Sequence, residues 1–79
     1  MPDNVIAYFL ALVEGGKEHE VAAEIKEIED VTEVLVVYGM WDIIVRIETV
    51  SLGKLDALIT EIRDISEIEQ THTLIGASA

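Results

Sequence analysis

The residues Tyr38-Gly39-Met40-Trp41-Asp42 place two aromatic rings, a thioether and a carboxylate on one short stretch of chain. A carboxylate can pair with an ammonium group, aromatic and thioether side chains can wall an apolar moiety, and Gly39 gives the backbone freedom to bend close to a ligand. The same residues also suit a plain turn. In that reading Gly39 supplies turn geometry, Asp42 accepts an Asx-type backbone bond and Trp41 packs on a neighbour. Both readings stand on composition alone. A second chemical element is Thr71-His72-Thr73. In a strand the two threonines point to the same side and could offer paired hydroxyls to a carboxylate, while His72 faces away from them. Threonine is also an ordinary strand residue, so packing explains the pair as well.

Other candidates carry less chemistry. His72 could act as a base, but no Ser, Cys or Lys stands in a nucleophile pattern beside it, so no catalytic residue is assigned. His19 lies between Glu18 and Glu20 at the start of a helix and reads as a solvated residue. Gly15-Gly16 precedes that helix without a G-x-G-x-x-G or P-loop pattern, and the neighbouring carboxylates would repel phosphate. The two histidines lie far apart, and the chain has no cysteine, so neither a metal site nor a cofactor is expected.

These residues need a scaffold, and 79 residues is enough for one hydrophobic core but not two. We read residues 1–79 as a single domain. A domain this small buries only about 60% of the surface its unfolded chain exposes, so disulfides, metals or self-association usually supplement it. With the first two unavailable, association with further copies is the expected supplement. A hydrophobic fraction of 51% beside 27% charged residues fits a folded domain. The net charge of −11 disfavours direct binding to nucleic acid or anionic membranes. No apolar run approaches the roughly 18 residues of a membrane span, and Met1-Pro2-Asp3-Asn4 lacks the basic start of a secretory signal. A cytoplasmic location is expected.

Periodicity supplies the elements. The unbroken apolar run Val5 to Val13 predicts a strand buried on both faces, ended by Glu14-Gly15-Gly16. Val21, Ile25 and Ile28 form the stripe of a helix that should end near Glu29-Asp30. A second strand is expected from Val31 to Tyr38, a hairpin connection over Gly39 to Asp42, and a third strand from Ile43 to Glu48. Ser51 is a fair N-cap for a second helix carrying Leu55, Leu58, Ile59 and Ile62. The last strand, Glu67 to Ile75, is more polar and is expected at a sheet edge. Glu24-Ile25-Lys26-Glu27-Ile28 and Glu61-Ile62-Arg63-Asp64-Ile65 resemble each other, so one unit is written twice. The order βαββαβ predicts an α+β, ferredoxin-like sandwich: a four-stranded antiparallel sheet with two helices on one face. The first strand carries large apolar groups on both sides, Tyr8, Leu10 and Leu12 against Val5, Phe9 and Val13; two helices cannot bury them all, and a second copy dimerising through the sheet into a dimeric α+β barrel would cover the rest.

The opening strand, Glu14-Gly15-Gly16-Lys17, Val31-Thr32-Glu33-Val34, Gly39-x-x-Asp42-Ile43-Ile44-Val45 and the closing Thr71-x-Thr73 together resemble the effector-binding (RAM) domain of the Lrp/AsnC family, from about Val5 to Ile75. The resemblance implies the same ferredoxin-like fold, sheet-to-sheet homodimers assembled into octamer-like rings, and an amino acid or similar small metabolite bound between dimers. It implies an effector site formed by Tyr38, Gly39, Met40, Trp41, Asp42, Thr71 and Thr73, with Asp42 pairing an α-amino group and the threonines near the α-carboxylate. It is to a stand-alone form without the helix-turn-helix domain, one that could co-assemble with full-length family regulators. Met40 and Trp41 make the connection bulkier and more apolar than the polar version of many relatives.

Three functions are compatible with this reading. The leading one is a non-enzymatic sensor or modulator of transcription and amino-acid metabolism. A cofactor-free enzyme of the dimeric barrel type would use His72 and Asp42 as its acid-base pair, within a cavity of one protomer. A purely structural assembly module would use the hairpin aromatics as interface anchors.

Overall fold

The computed structural model describes residues 4–77; Met1, Pro2 and Asp3, read above for leader character, lie outside the described residues. Its elements are β1 (Val5–Val13), α1 (Glu18–Lys26), β2 (Val31–Val36), β3 (Ile43–Thr49), α2 (Leu52–Arg63) and β4 (Ile68–Ile75). The strands form one antiparallel sheet in the order β2-β3-β1-β4, which puts the polar β4 at an edge as its composition predicts.

Alternation divides β1 cleanly. Ala7, Phe9, Ala11 and Val13 are buried, and they meet Ile43, Val45 and Ile47 of β3 beneath Val21 and Ile25 of α1 and Leu55, Leu58 and Ile62 of α2. Both helices therefore lie on one face, and the βαββαβ sandwich is the fold. The opposite face holds Tyr8, 41% exposed, with Leu35 at 48% and Leu74 at 49%. Leu35 stands opposite Ile44 and Leu74 opposite Tyr8, so these side chains share that face. In the protomer one face of β1 is packed under the helices and the other is open, the face for which a second copy is the expected cover.

Ser51 caps α2 by accepting the Lys54 N–H at 3.1 Å, although the sequence lacks the glutamate of a full capping box. The first helix starts at Glu18 without a side-chain cap, and its first turn carries Glu18 and Glu20, favourable at the positive end of the helix dipole. It stops at Lys26, short of the expected Glu29-Asp30. Ile28 continues the apolar spacing but packs on the core from the turn that follows. The internal repeat has a structural counterpart there. Ile28 donates to the Ile25 carbonyl and Val31 to that of Ile28, just as Ile65 donates to Ile62 and Ile68 to Ile65. Each half thus leaves its helix through the same pair of turns and enters its strand with an isoleucine plugging the core. Asp30 adopts a left-handed φ of 72°, held because its Oδ2 accepts the hydroxyl of the buried Thr49 at 2.9 Å. The second strand ends at Val36, so Tyr38 falls in the connection and not in the strand, and β4 begins at Ile68, one residue later than expected.

Candidate functional site

The connection from β2 to β3 is closed by a backbone bond from Val37 N to Asp42 O at 2.8 Å. Gly39 within it has a φ of 133°, a value that L side chains rarely adopt, which explains the residue type. Tyr38 and Met40 are 97% and 85% exposed. Among the described residues almost nothing covers them.

Asp42 is tied down. Its Oδ2 accepts the Val13 N–H at 2.9 Å, and its own N–H donates to the Ala11 carbonyl at 2.9 Å. The Asp42 carboxylate satisfies the β1 backbone just beyond the end of the β1–β3 ladder and beside the register shift at Leu12/Val13. The expected Asx-type bond to local backbone is thereby corrected to a bond across 29 residues. This half-buried carboxylate keeps its second oxygen for another donor.

Trp41 and His72 meet with ring centroids 6.2 Å apart and planes inclined by 31°. His72 pairs in register with Leu10, on the open face, so the indole reaches over β1 to join that face. Thr71 and Thr73 pair with Ala11 and Phe9, whose side chains are buried under the helices. The threonines therefore stand half-buried on the helix side, away from His72, as alternation required. In one protomer Trp41 and the threonines are on opposite faces of the sheet. The prominent clefts among the described residues do not bring them together. Thr71 lines a shallow cleft of about 330 Å³ with Arg63, Ile68, Glu69 and Gln70, and neither Asp42 nor His72 lines it. The protomer cavity that an Asp42-His72 acid-base pair would need is not among these clefts.

One group on the open face was not singled out by sequence. Arg46, opposite Tyr8, donates to Thr32 Oγ1 at 2.8 Å and pairs with Glu48 Oε1 at 3.3 Å, while Asn4 donates to Glu48 Oε2 at 3.0 Å. The Tyr8 hydroxyl, followed by Glu48, holds the Arg46 guanidinium above its ordinary range. The Asn4 amide, followed by Arg46, holds the Glu48 carboxyl below its own. Only the alternation that puts Arg46 and Glu48 on one face could have signalled this cluster. Among the described residues no group of three or more His, Asp or Glu side chains is placed to hold a metal ion, and no helix is long and apolar enough to cross a membrane.

Residues 6–78 match the model of the Lrp/AsnC ligand binding domain. An HTH-type transcriptional regulator, FL11, from Pyrococcus furiosus is 32% identical over 91% of this chain and 48% of its own length. The chain thus spans about half the length of the curated relatives it matches. The crystal structure of the hypothetical protein PHS023 from Pyrococcus horikoshii superposes with a TM-score of 0.88 at 42% identity, covering 95% of this chain and 92% of that one. The structure of AsnC from Escherichia coli gives 0.87 at 24% identity, over 99% of this chain and 54% of the other, and shows the shared fold.

Proposed function

This chain belongs to the Lrp/AsnC ligand-binding domain family, and from that premise we propose that residues 1–79 act as one effector-binding unit, a non-enzymatic sensor or modulator of transcription. Its effector is an amino acid or a similar small metabolite. The effector is held where copies of the chain meet, in homodimers joined through their open sheet faces and gathered into an octamer or comparable ring. Tyr38, Gly39, Met40, Trp41, Asp42, Thr71 and Thr73 contribute to that site. The chain works in the cytoplasm, without direct contact with nucleic acid, and can co-assemble with full-length regulators of the family.

The observation that carries this reading is the opposite-face placement of Trp41 and the threonine pair. A small ligand reaches both sets of groups only if they come from different copies. Exposure of Tyr8, Leu35 and Leu74 on a single sheet face supports the same arrangement, since contiguous apolar surface of this kind marks an association surface. Melting the protein in the presence of each of the twenty common amino acids tests it. A ligand that binds only the folded state at a hundred times its Kd adds about 2.7 kcal/mol of stability, a shift of roughly 10–20 °C for a domain this size. An upward shift with at least one amino acid is expected. No shift with any of them at millimolar concentration contradicts effector sensing.

A further inference from the structure

The chain has five basic side chains, and three are already engaged: Lys17 with Glu20, Arg46 with Glu48, and Lys54 with Glu29 and Asp30. Of the other two, Lys26 faces a groove walled mostly by Ala22, Ala23, Val34, Leu35 and Val36, with His19 as its one further polar side chain and no carboxylate to take an ammonium. Arg63 is placed differently. It closes the last turn of α2, where the negative end of the helix dipole favours a cation, and the turns through Ile65 and Ile68 bring the start of β4 back beside it. The resulting cleft of about 330 Å³ collects a guanidinium from Arg63, a carboxylate from Glu69, an amide from Gln70 and a hydroxyl from Thr71, above the apolar Ile68. Among the described residues none of these four polar side chains has an ion-pair or hydrogen-bond partner within the chain. Thr71 is half-buried, whereas Arg63 and Glu69 are exposed at the rim.

We infer that Arg63 and Glu69 are the polar anchors of the effector, Arg63 taking the α-carboxylate and Glu69 the α-ammonium of an amino-acid zwitterion seated at Thr71. A guanidinium presents a planar fork matched to a carboxylate, and Gln70 and Thr71 add neutral donors beside it. A carboxylate held apart from that fork is what an ammonium needs. In a chain of net charge −11, a lone cation in a donor-lined cleft also overcomes the general repulsion of an anionic group. Asp42 bonds the β1 backbone through Oδ2, and its second oxygen stays available in addition to these anchors. The hairpin of a neighbouring copy, with Met40 and Trp41, is left to cover the ligand and select its side chain.

This inference rests on the reading of Thr71 as an effector residue, and the experiment separates the two. Titration calorimetry compares the twenty free amino acids with their α-carboxamides, which keep the ammonium and lose the carboxylate charge. It uses the full chain, R63Q and E69Q, with assembly of each checked by sedimentation. The unsubstituted chain should bind its amino acid at least about tenfold more tightly than the amide, the loss expected for one charge-assisted hydrogen bond. In R63Q the acid and amide should bind almost equally. In E69Q both should weaken together. If R63Q keeps the preference of the unsubstituted chain for the acid, the Arg63 assignment is wrong although the effector reading stands. If no amino acid binds the unsubstituted, correctly assembled chain, the effector reading fails and this inference with it.

Discussion

The Asp42 carboxylate accepts the backbone N–H of Val13 at 2.9 Å, joining the β2–β3 hairpin to the end of the first strand. A side chain that sequence and resemblance put forward for ligand binding therefore also stabilises the fold, and the two contributions can be separated by substitution.

Asp42→Ala leaves the Val13 N–H without its acceptor in a part-buried setting, and should cost about 1–3 kcal/mol. Asp42→Asn keeps a neutral acceptor and should lose well under half of that. Urea unfolding of the two variants measures the difference. Equal stability of the two variants would show that the bond to Val13 contributes little.

The Asn4–Glu48–Arg46 cluster predicts a pH signature. The Glu48 carboxyl titrates below its ordinary 4.5 in the folded chain, so the unfolded state binds the proton more readily. Its stabilising contribution is fully present above that ordinary value and is lost as pH falls through the lowered one. Glu48→Gln should therefore reduce the melting temperature slightly at pH 6 and converge on the parent as the pH falls below about 4. Because the pair is partly open to solvent and screened by it, the effect is small, and the melting profile from pH 3 to 7 should show convergence in acid. A gap that widens in acid would contradict the assigned cause.

Leu10 stands on the open sheet face between Ile44 and His72, clear of the buried core. Burying a leucine contributes about 1.5–3 kcal/mol, and a carboxylate buried in its place adds a desolvation penalty in each copy. Leu10→Asp should dissociate the assembly at micromolar concentration, with far-UV circular dichroism retained, as read by sedimentation velocity. An unchanged sedimentation coefficient would show that this face is not the one by which copies join.

Much of this architecture was legible from periodicity. The switch from the apolar run of β1 to the spacing of Val21 and Ile25, and back to β-branched residues at Val31, marks a strand, a helix and a strand with little ambiguity. The ends were less legible for identifiable reasons. Ile28 keeps the helical spacing although the chain has already left the helix, because a core isoleucine is needed there whichever conformation carries it. The turn hinges on Asp30 at positive φ, a conformation that a glycine would announce and an aspartate stapled to Thr49 does not. Tyr38 extends an apolar run but follows a strand that ends at Val36.

The site was legible in part. Alternation alone put Thr71 and Thr73 on one side and His72 on the other. The link from Asp42 to Val13 was not legible, since it spans 29 residues and depends on how β1 runs past the end of β3. Nor was Arg63, because a basic residue in a last helical turn is explained by the helix dipole until the fold brings Glu69 and Thr71 beside it.

Because Trp41 and the threonine pair stand on opposite faces of the sheet, the proposed site needs more than one copy, and its affinity for an effector should depend on assembly. Calorimetric titration of the best amino acid into the parent chain and into folded, monomeric Leu10→Asp measures that dependence. The account predicts binding by the assembled parent and a loss of at least about tenfold in the monomer, more than 1.4 kcal/mol. Equal affinity in the two would contradict it, since a single protomer would then hold the whole site.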